Sequence, residues 1–121
     1  MAESLQRMIR AGVPLERVTL SSDSNATRML PEKRLKYLSV QTLFQVVREL
    51  WLQGEIPRSQ LVRLVTENPA KSLGLGRVKG LVEPGRDADL ILLKEPFELD
   101  GVILKGKWAR KDGQTLIRDP F

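Results

Sequence analysis

The spacing of apolar residues changes once along this 121-residue chain, between Gly76 and Gly80. Before that border, apolar residues recur every three or four positions, as they do along one face of a helix. After it, short runs of β-favouring residues alternate with glycine-containing turns. The sequence therefore predicts an α/β to α+β fold, with a helix-containing segment over residues 1–76 and a β-rich tail over residues 77–121.

The first forty residues predict a helix, a strand and a long loop. The helical run "SLQRMIRAG" ends at Gly12, since glycine commonly stops a helix. Val18 to Ser22 form a short β-favouring run, so helix and strand follow each other in the order of an α/β unit. Residues 23–39 show no regular pattern. We expect a loop there, and loops of that length in a compact domain are usually functional or mobile.

Two amphipathic helices are predicted next. The clearer one spans Ser39 to Gln53, with Ser39 as its N-cap and Gly54 as its C-terminal stop. The other begins near Pro57, a residue that suits the first helical turn because it lacks a backbone N–H. Its inward-facing residues are predicted to be Leu61, Val62, Leu64 and Val65.

A short helix and a tight turn lead into the β-rich tail. Asn68 is predicted to cap the helix, with Pro69 at its first position and Gly74 at its end. Pro84-Gly85 has the order that a type II turn requires, with proline second and glycine third.

The tail reads as an antiparallel meander. Leu90 to Leu93 form one strand, and "GVILKGKWARKDGQTLI" forms three more, broken at Lys105-Gly106 and Asp112-Gly113. We expect Trp108 to pack under this meander rather than to bind a ligand.

Two acidic residues precede the first strand of the tail, Asp87 and Asp89. We expect them to tie down the loop before Leu90 and not to bind a metal ion, because carboxylates at such positions commonly hold turns together.

Two missing residue types restrict the chemistry. The chain has no cysteine, which excludes disulfides and thiolate metal sites, and no histidine. Ser-His-Asp and Cys-His catalysis are therefore excluded within these residues, and so is an imidazole-based zinc site. Only carboxylates and other oxygen ligands remain for binding a metal ion.

Charge and hydropathy indicate which partners and which cellular location to expect. Twenty Lys and Arg against 15 Asp and Glu give a net charge of +5, but the basic residues are scattered. We therefore expect a solvated surface and no nucleic-acid partner. No apolar run reaches membrane-spanning length and the N-terminus does not read as a signal peptide, so we expect no membrane association and a cytoplasmic location.

Four segments together resemble a known family: "VTLSSDSNAT", "TENPAKSLGL", "KGLVEPGRDADLILL" and "LKGKWARKDG". Their order and spacing resemble the C-terminal end of an amidohydrolase-superfamily enzyme, and most of all that of bacterial isoaspartyl dipeptidases. The resemblance implies a (β/α)8 barrel with two zinc ions and a small β-sandwich built from both chain ends. This chain would supply the last βα segment of the barrel and a meander of the sandwich.

The resemblance also implies roles for two residues. Asp23 matches the aspartate that ends the eighth barrel strand, contacts the metal site and handles the proton of the hydrolytic water. Thr27 matches a serine hydroxyl that helps to hold the dipeptide substrate. Two glycines of the family are replaced by Ser24 and Ala26, so we expect an altered substrate loop. Taken alone, the run from Ser21 to Asn25 is more typical of a loop start or an Asx-turn than of a catalytic site.

The other metal ligands of the family are expected on earlier strands: a His-x-His pair, a carboxylated Lys or a Glu, and two further His. None of the histidines is present in this chain. The resemblance therefore implies zinc in the intact family enzyme but none bound to this chain alone, and we do not expect this chain alone to hydrolyse peptides.

The same resemblance predicts partners. A barrel strand at residues 18–22 would have parallel neighbours on both sides, and the meander would be completed by N-terminal strands. Without those neighbouring strands, backbone hydrogen-bonding groups and apolar faces would be left without partners and would need others. We therefore expect self-association, including by exchange of segments, or binding of a complementary N-terminal barrel half.

Three functions are consistent with these features. The chain is the C-terminal part of an isoaspartyl-dipeptidase-like hydrolase, or a non-catalytic remnant that acts as an oligomerisation or interaction module, or a nucleic-acid-binding protein. The scattered charges and the lack of a recognisable motif count against the third. We adopt the first as the family assignment and leave open whether this chain alone is an enzyme.

Overall fold

The computed structural model describes residues 2–22, 27–29, 35–37 and 40–117. It divides the chain into two compact units, Met1–Val65 and Thr66–Phe121. The predicted border between residues 76 and 77 referred to the barrel and sandwich domains of the family, and it stays a prediction.

Among its described residues, the first unit contains three helices, a 3-10 turn and two short paired strands. Its elements are α1 (Ala2–Arg10), the 3-10 turn Leu15–Arg17, β1 (Thr27–Met29), β2 (Leu35–Tyr37), α2 (Gln41–Gln53) and α3 (Arg58–Arg63). The second unit contains α4 (Glu67–Ser72) and four strands, β3 (Leu90–Lys94), β4 (Glu98–Leu104), β5 (Lys107–Lys111) and β6 (Gln114–Thr115).

The helix ends follow the predicted stops. After α1, the N–H of Val13 donates to Met8 O and that of Gly12 to Ile9 O, both at 3.0 Å. This pair of bonds is the Schellman motif, which satisfies carbonyls that the helix itself leaves unbonded. Gly74 ends α4 in the same way, and Gly54 ends α2 with a left-handed backbone and a bond to Leu50 O. Ser39, the predicted cap of α2, lies outside the described residues, and Val40 takes the N-cap position.

The core of the first unit is aliphatic. Helices α2 and α3 pack against each other, and the buried apolar residues of the unit are Leu5, Val18, Val47, Leu50, Ile56, Leu61 and Leu64. Burying a side chain of this size contributes about 1.5–3 kcal/mol. The inward face of α3 is narrower than predicted: Leu61 and Leu64 are fully buried, but Val62 is 38% exposed. Val62 follows Leu61 directly, and consecutive helical residues point in different directions.

The predicted strand from Val18 to Ser22 is wrong. A 3-10 turn precedes it, Val18 has an extended backbone at φ −104° and ψ 136°, and residues 18–22 form no strand. An extended run becomes a strand only when a neighbouring strand accepts its backbone hydrogen bonds. The β-favouring residues here set the local conformation, but local preference does not supply the neighbour.

The predicted loop over residues 23–39 contains regular structure. Strands β1 and β2 pair antiparallel, with Thr27 opposite Tyr37 and Met29 opposite Leu35. Each strand has only three residues, which is shorter than the runs from which alternating patterns can be recognised. The loop prediction therefore missed a hairpin.

Helix α4 starts two residues earlier than predicted. Thr66 takes the N-cap position and Asn68 lies inside the helix, where it is buried, so the assignment of Asn68 as the cap is wrong. Pro69 is the third helical residue, not the first. Proline is tolerated there because the first-turn N–H groups have no acceptor within the helix.

The β-rich tail has the predicted order. Strands β3 to β6 form one antiparallel sheet in chain order, β3-β4-β5-β6. Backbone φ is positive at both central residues of two turns: +48° and +78° at Lys105-Gly106, and +50° and +76° at Asp112-Gly113. These are type I′ turns, whose twist matches that of the strands they join.

Trp108 packs on the sheet. It lies opposite Ile103, on the same face as Gly101, and a Cβ added to Gly101 would lie 2.9 Å from Trp108 Cζ3. The indole is 40% exposed, and Lys111 Nζ lies 5.2 Å from the ring centroid. The predicted packing role is confirmed, on a half-exposed face.

The backbone at Gly80 lies close to α4. Its φ is +94°, and an added Cβ would lie 3.0 Å from Ala70 Cβ, 3.0 Å from Glu67 Cα and 3.1 Å from Thr66 O. Two of these three atoms belong to the backbone, which cannot move aside as a flexible side chain can. Only glycine satisfies both the φ angle and the contact.

We therefore expect Gly80→Ala to destabilise the protein more than Gly85→Ala. Gly85 has a similar φ of +87° with no atom within 4 Å of an added Cβ, so it isolates the backbone penalty of roughly 1–2 kcal/mol. The clash at Gly80 should add a further 1–3 kcal/mol, by order of magnitude. Urea unfolding of both variants measures the difference, and equal losses would show that α4 yields at this contact.

Candidate functional site

The segment that leads to the predicted catalytic aspartate is anchored by its backbone. Val18 is buried and its N–H donates to Leu15 O at 3.1 Å. Two residues later the N–H of Leu20 donates to Leu64 O, also at 3.1 Å. Ser21 is then exposed and Ser22 is half-buried. Residues 18–20 are therefore held in place within the first unit, up to the point where the serines begin.

A cavity of about 230 Å³ lies between this segment and α1. Its lining residues are Ser4, Leu5, Met8, Val18, Thr19, Leu20 and Ser21. The lining combines aliphatic side chains with hydroxyl groups, and none of these residues is ionisable. It can hold an apolar group but offers no acid or base for hydrolysis.

The predicted site residues fall largely outside the described residues. Asp23, predicted as catalytic and as a metal ligand, lies there, as do Ser24 and Ala26. Thr27, predicted to bind substrate, begins β1, where its backbone pairs with Tyr37. Both roles therefore stay predictions, and the structure neither brings Asp23 and Thr27 together nor separates them.

The donor set of this chain does not fit a two-zinc centre. Within the described residues, no group of three or more Asp or Glu side chains is placed to hold a metal ion. The sequence has neither histidine nor cysteine, and structural and catalytic zinc sites use at least three protein ligands, mostly of those two kinds. Asp23 alone cannot supply them.

The clearest group of charged residues lies before β3 and has a structural role. Lys79 Nζ lies 3.0 Å from Asp87 Oδ2 and 2.5 Å from Asp89 Oδ2. The other oxygen of Asp89 accepts a hydrogen bond from the Lys105 N–H at 2.9 Å. Asp89 thus ties the loop to the β4–β5 turn, and both aspartates tie it to Lys79. Their prediction as loop-tying carboxylates is confirmed.

This arrangement shifts two pKa values. The side-chain bond to Lys79 and the backbone N–H of Lys105 both stabilise the charged carboxylate, so the pKa of Asp89 lies below its ordinary value. The carboxylates of Asp89 and Asp87, in that order, raise the pKa of Lys79. A carboxylate with a lowered pKa is a poor proton acceptor near neutral pH, so this cluster is a structural tie and not a catalytic site.

Sequence reasoning missed Arg86. Its Nε pairs with Glu83 Oε2 at 2.7 Å across the Pro84-Gly85 turn, and its Nη1 donates to the carbonyls of Gly76 and Lys79. One side chain thus bonds two backbone carbonyls of the segment that leads to Gly80. The sequence does show Glu83 and Arg86 as an oppositely charged pair three residues apart across the predicted turn. The carbonyl groups that Arg86 bonds cannot be predicted from spacing.

Residues 1–109 match the Amidohydrolase family. The chain belongs to the amidohydrolase family. The match covers three of the four segments on which the resemblance rested, and the fourth as far as Ala109 of β5.

Solved structures and relatives agree with this assignment. The amidohydrolase chain is 31% identical to a β-aspartyl dipeptidase from Fervidobacterium islandicum AW-1, solved in complex with a β-Asp-Leu dipeptide. The superposition covers 95% of this chain and 30% of the dipeptidase, with a TM-score of 0.79. The predicted resemblance to this class of dipeptidase is confirmed. The fold is thus that of a segment of an amidohydrolase.

Two curated relatives have other named activities. A dihydroorotase from Methanosarcina acetivorans is 31% identical over 83 residues, which is 64% of this chain and 18% of the relative. An N-acetylglucosamine-6-phosphate deacetylase from Haemophilus influenzae is 27% identical over 67 residues, 55% of this chain and 18% of the relative. The amidohydrolase chain therefore spans less than a third of the length of each protein named here.

Among the described residues of this amidohydrolase chain, no helix has both the length and the apolar content needed to cross a membrane. The predicted cytoplasmic location stays a prediction.

We expect Asp89→Asn to lower stability at neutral pH and to remove part of its acid dependence. The amide keeps an acceptor for Lys105 N–H but loses the charge that pairs with Lys79. Because folding lowers the pKa of Asp89, its stabilisation is fully present above the unfolded value of 3.8 and is lost as the pH falls through the folded value. Urea midpoints measured across that range test this.

Asp87→Asn is the matched control. It removes one contact with Lys79 and leaves the bond between Asp89 and Lys105 in place. Its effect should be the smaller of the two. If both variants lost the same stability at every pH, the charge of Asp89 would contribute no more than that of Asp87, contrary to this account.

Proposed function

We propose that this chain is the C-terminal part of an amidohydrolase that hydrolyses β-aspartyl dipeptides. The observation that carries the proposal is the likeness to the F. islandicum dipeptidase, at 31% identity and a TM-score of 0.79 over 95% of the chain. That dipeptidase was solved with β-Asp-Leu bound. In this proposal α1 to α4 belong to the last part of a (β/α)8 barrel, and the four-stranded sheet belongs to the small sandwich domain.

Asp23 is the proposed catalytic residue. It follows a segment held in place by Val18 and by the bond from Leu20 N to Leu64 O, so the start of its loop has a fixed position. A carboxylate at such a position can accept a proton from the attacking water and pass it to the leaving amine. Thr27 is the proposed substrate-binding hydroxyl.

The two zinc ions of the family would be held by residues outside this sequence. The 121 residues supply one carboxylate of the pattern and no imidazole. We therefore assign this chain a proton-transferring carboxylate and a substrate-binding hydroxyl, but no metal centre. A complementary N-terminal barrel half is the proposed source of the remaining groups.

A second candidate is a non-catalytic module that mediates association. The lack of histidine favours it, and so does the lack of a three-carboxylate cluster in the described part of the chain. The exposed apolar residues of β3 give this candidate a surface. Ile91 is 60% exposed, and β3 is an edge strand of the sheet.

A chimeric enzyme tests the catalytic proposal. This chain would replace the segment that it matches in the F. islandicum dipeptidase, and hydrolysis of β-Asp-Leu would be measured. We expect activity in the chimera and a loss of about 100-fold or more in kcat for Asp23→Asn, since a positioned acid–base group contributes 10²–10⁴-fold. Dihydroorotate and N-acetylglucosamine-6-phosphate serve as alternative substrates.

Two further variants separate binding from chemistry. Thr27→Val should raise KM for β-Asp-Leu and leave kcat less affected, because it removes a proposed hydroxyl contact with the substrate. Asp112→Asn, at an exposed turn of the sheet, is the control and should leave both parameters unchanged. A correctly folded chimera that Asp23→Asn does not slow would refute the role of Asp23, and faster turnover of an alternative substrate would reassign the specificity.

Self-association is tested by size-exclusion chromatography with light scattering over a range of concentrations. We expect a concentration-dependent dimer or larger species, because an exposed apolar edge strand is a template for pairing. Ile91→Lys should weaken association by about tenfold or more, since a charge at an edge blocks such pairing.

The control is Val82→Lys, which places the same charge at an 84% exposed residue outside the strands. An equal effect of both variants would point to net charge and not to the edge of the sheet. A monomer at every concentration would count against the proposal.

A further inference from the structure

The sequence contains two Asp-Gly pairs, and the structure places them in opposite surroundings. Asp112-Gly113 forms the centre of the β5–β6 turn, and Asp100-Gly101 lies within β4. An aspartate followed by glycine is the arrangement most open to attack by the backbone on its own side chain, because glycine has no Cβ to hinder the approach. The same dipeptide can therefore be compared in a turn and within a strand of one protein.

We propose that Asp112-Gly113 is a site of spontaneous aspartate isomerisation, where the backbone becomes β-linked, and that Asp100-Gly101 is protected from it by the sheet. The product is an isoaspartyl residue within the folded chain. The inference is independent of the proposed hydrolase function, because it concerns the chain's own backbone.

The reaction needs no reagent other than water. The backbone nitrogen of Gly113 attacks Cγ of Asp112, an N–Cγ bond forms, and the amide proton leaves with the carboxyl OH as one water molecule, giving a five-membered succinimide. One water then adds to either ring carbonyl. When the bond between the nitrogen and the main-chain carbonyl carbon breaks, glycine stays attached through Cγ. No atom is gained or lost overall, and nothing is oxidised or reduced.

The turn gives Asp112 the freedom that this reaction requires. All residues from Lys111 to Ile117 are exposed. Asp112 has φ +50°, a left-handed conformation that costs energy for a residue with a Cβ. Leaving this conformation therefore relieves strain. Beyond the turn, β6 has only two residues, which pair with Arg110 and Lys111. The N–H groups of Leu116 and Ile117 then donate to Ala109 O at 2.8 and 3.4 Å. Opening this end of the sheet therefore disrupts few interactions.

The β-linked product is also easy to accommodate there. It adds one carbon atom to the backbone of the turn, which would loosen pairing only in the outermost, two-residue strand. Strands β3 and β4 are separated from β6 by β5, so their pairing is not affected by this change.

Asp100-Gly101 has the opposite properties. Strand β4 pairs with β3 on one side and β5 on the other, and Gly101 is buried opposite Leu92. Trp108 packs against Gly101, since an added Cβ would lie 2.9 Å from its ring. Asp100 Oδ1 is also held 3.2 Å from Lys94 Nζ. Moving Cγ onto the glycine nitrogen would require the central strand to open.

Ageing the full chain at neutral pH and 37 °C tests the proposal. Trypsin then releases "DGQTLIR", residues 112–118, and "EPFELDGVILK", residues 95–105, so both pairs are read in one digest. Isoaspartate is measured by methyl transfer from labelled S-adenosylmethionine with a protein isoaspartate methyltransferase, and by chromatographic separation of the isobaric peptides. We expect at least about tenfold more isoaspartate in the first peptide, as for an end of the sheet that opens more easily.

Two controls tie the difference to structure. In urea, where neither pair is folded, the two peptides should isomerise at similar rates; an unchanged ratio would assign the difference to flanking sequence and overturn the proposal. Asp112→Glu should abolish the signal from the first peptide, because a six-membered ring forms more slowly. Failure of the wild-type chain to form isoaspartate at Asp112, or equal amounts at both pairs, would also refute it.

Discussion

The close approach of Gly80 to the first turn of α4 is the contact on which the second unit depends. An added Cβ at Gly80 would lie 3.0 Å from Ala70 Cβ and from Glu67 Cα, so the backbone itself is in contact with the helix. On either side of Gly80 the chain is fixed by other groups. Arg86 donates to the carbonyls of Gly76 and Lys79, and Lys79 pairs with both aspartates before β3. The sheet therefore starts from a loop whose course is set by α4.

Much of the fold was predictable because its signals are local. The helix stops at Gly12 and Gly54 need only the residue that ends each helix, and the type I′ turns need only Lys105-Gly106 and Asp112-Gly113. A turn or a cap forms from residues a few positions apart, so its sequence carries the information. The same reasoning explains why the ordering of β3 to β6 followed the prediction.

The wrong predictions concern contacts between residues that are far apart in the sequence, or packing that outweighs a local preference. Residues 18–22 favour an extended backbone, but a strand also needs a neighbour, and the N–H of Leu20 finds the carbonyl of Leu64 after α3 instead. Asn68 has a capping side chain and still lies inside α4, since tertiary packing outweighs a local preference. The candidate site follows the same division: the Ser-Ser-Asp run is ambiguous by itself, and only its order among other family segments indicated chemistry.

Three aspartates of the described residues already have a charged partner for their carboxylate oxygens. Asp87, Asp89 and Asp100 each pair with a lysine. Asp89 also accepts a backbone N–H, which lowers its pKa. A carboxylate paired with a lysine stabilises the fold through that ion pair, and for the same reason it accepts a proton from water poorly.

A residue that transfers protons needs a backbone that is fixed in place and a carboxylate that is not paired with a lysine. Asp23 follows an anchored segment in the sequence, and its proposed role needs a carboxylate of this kind. The charged groups of the sheet are therefore better understood as the frame that holds the family fold, and the proposed chemistry belongs to the end of the segment that Val18 and Leu64 hold in position.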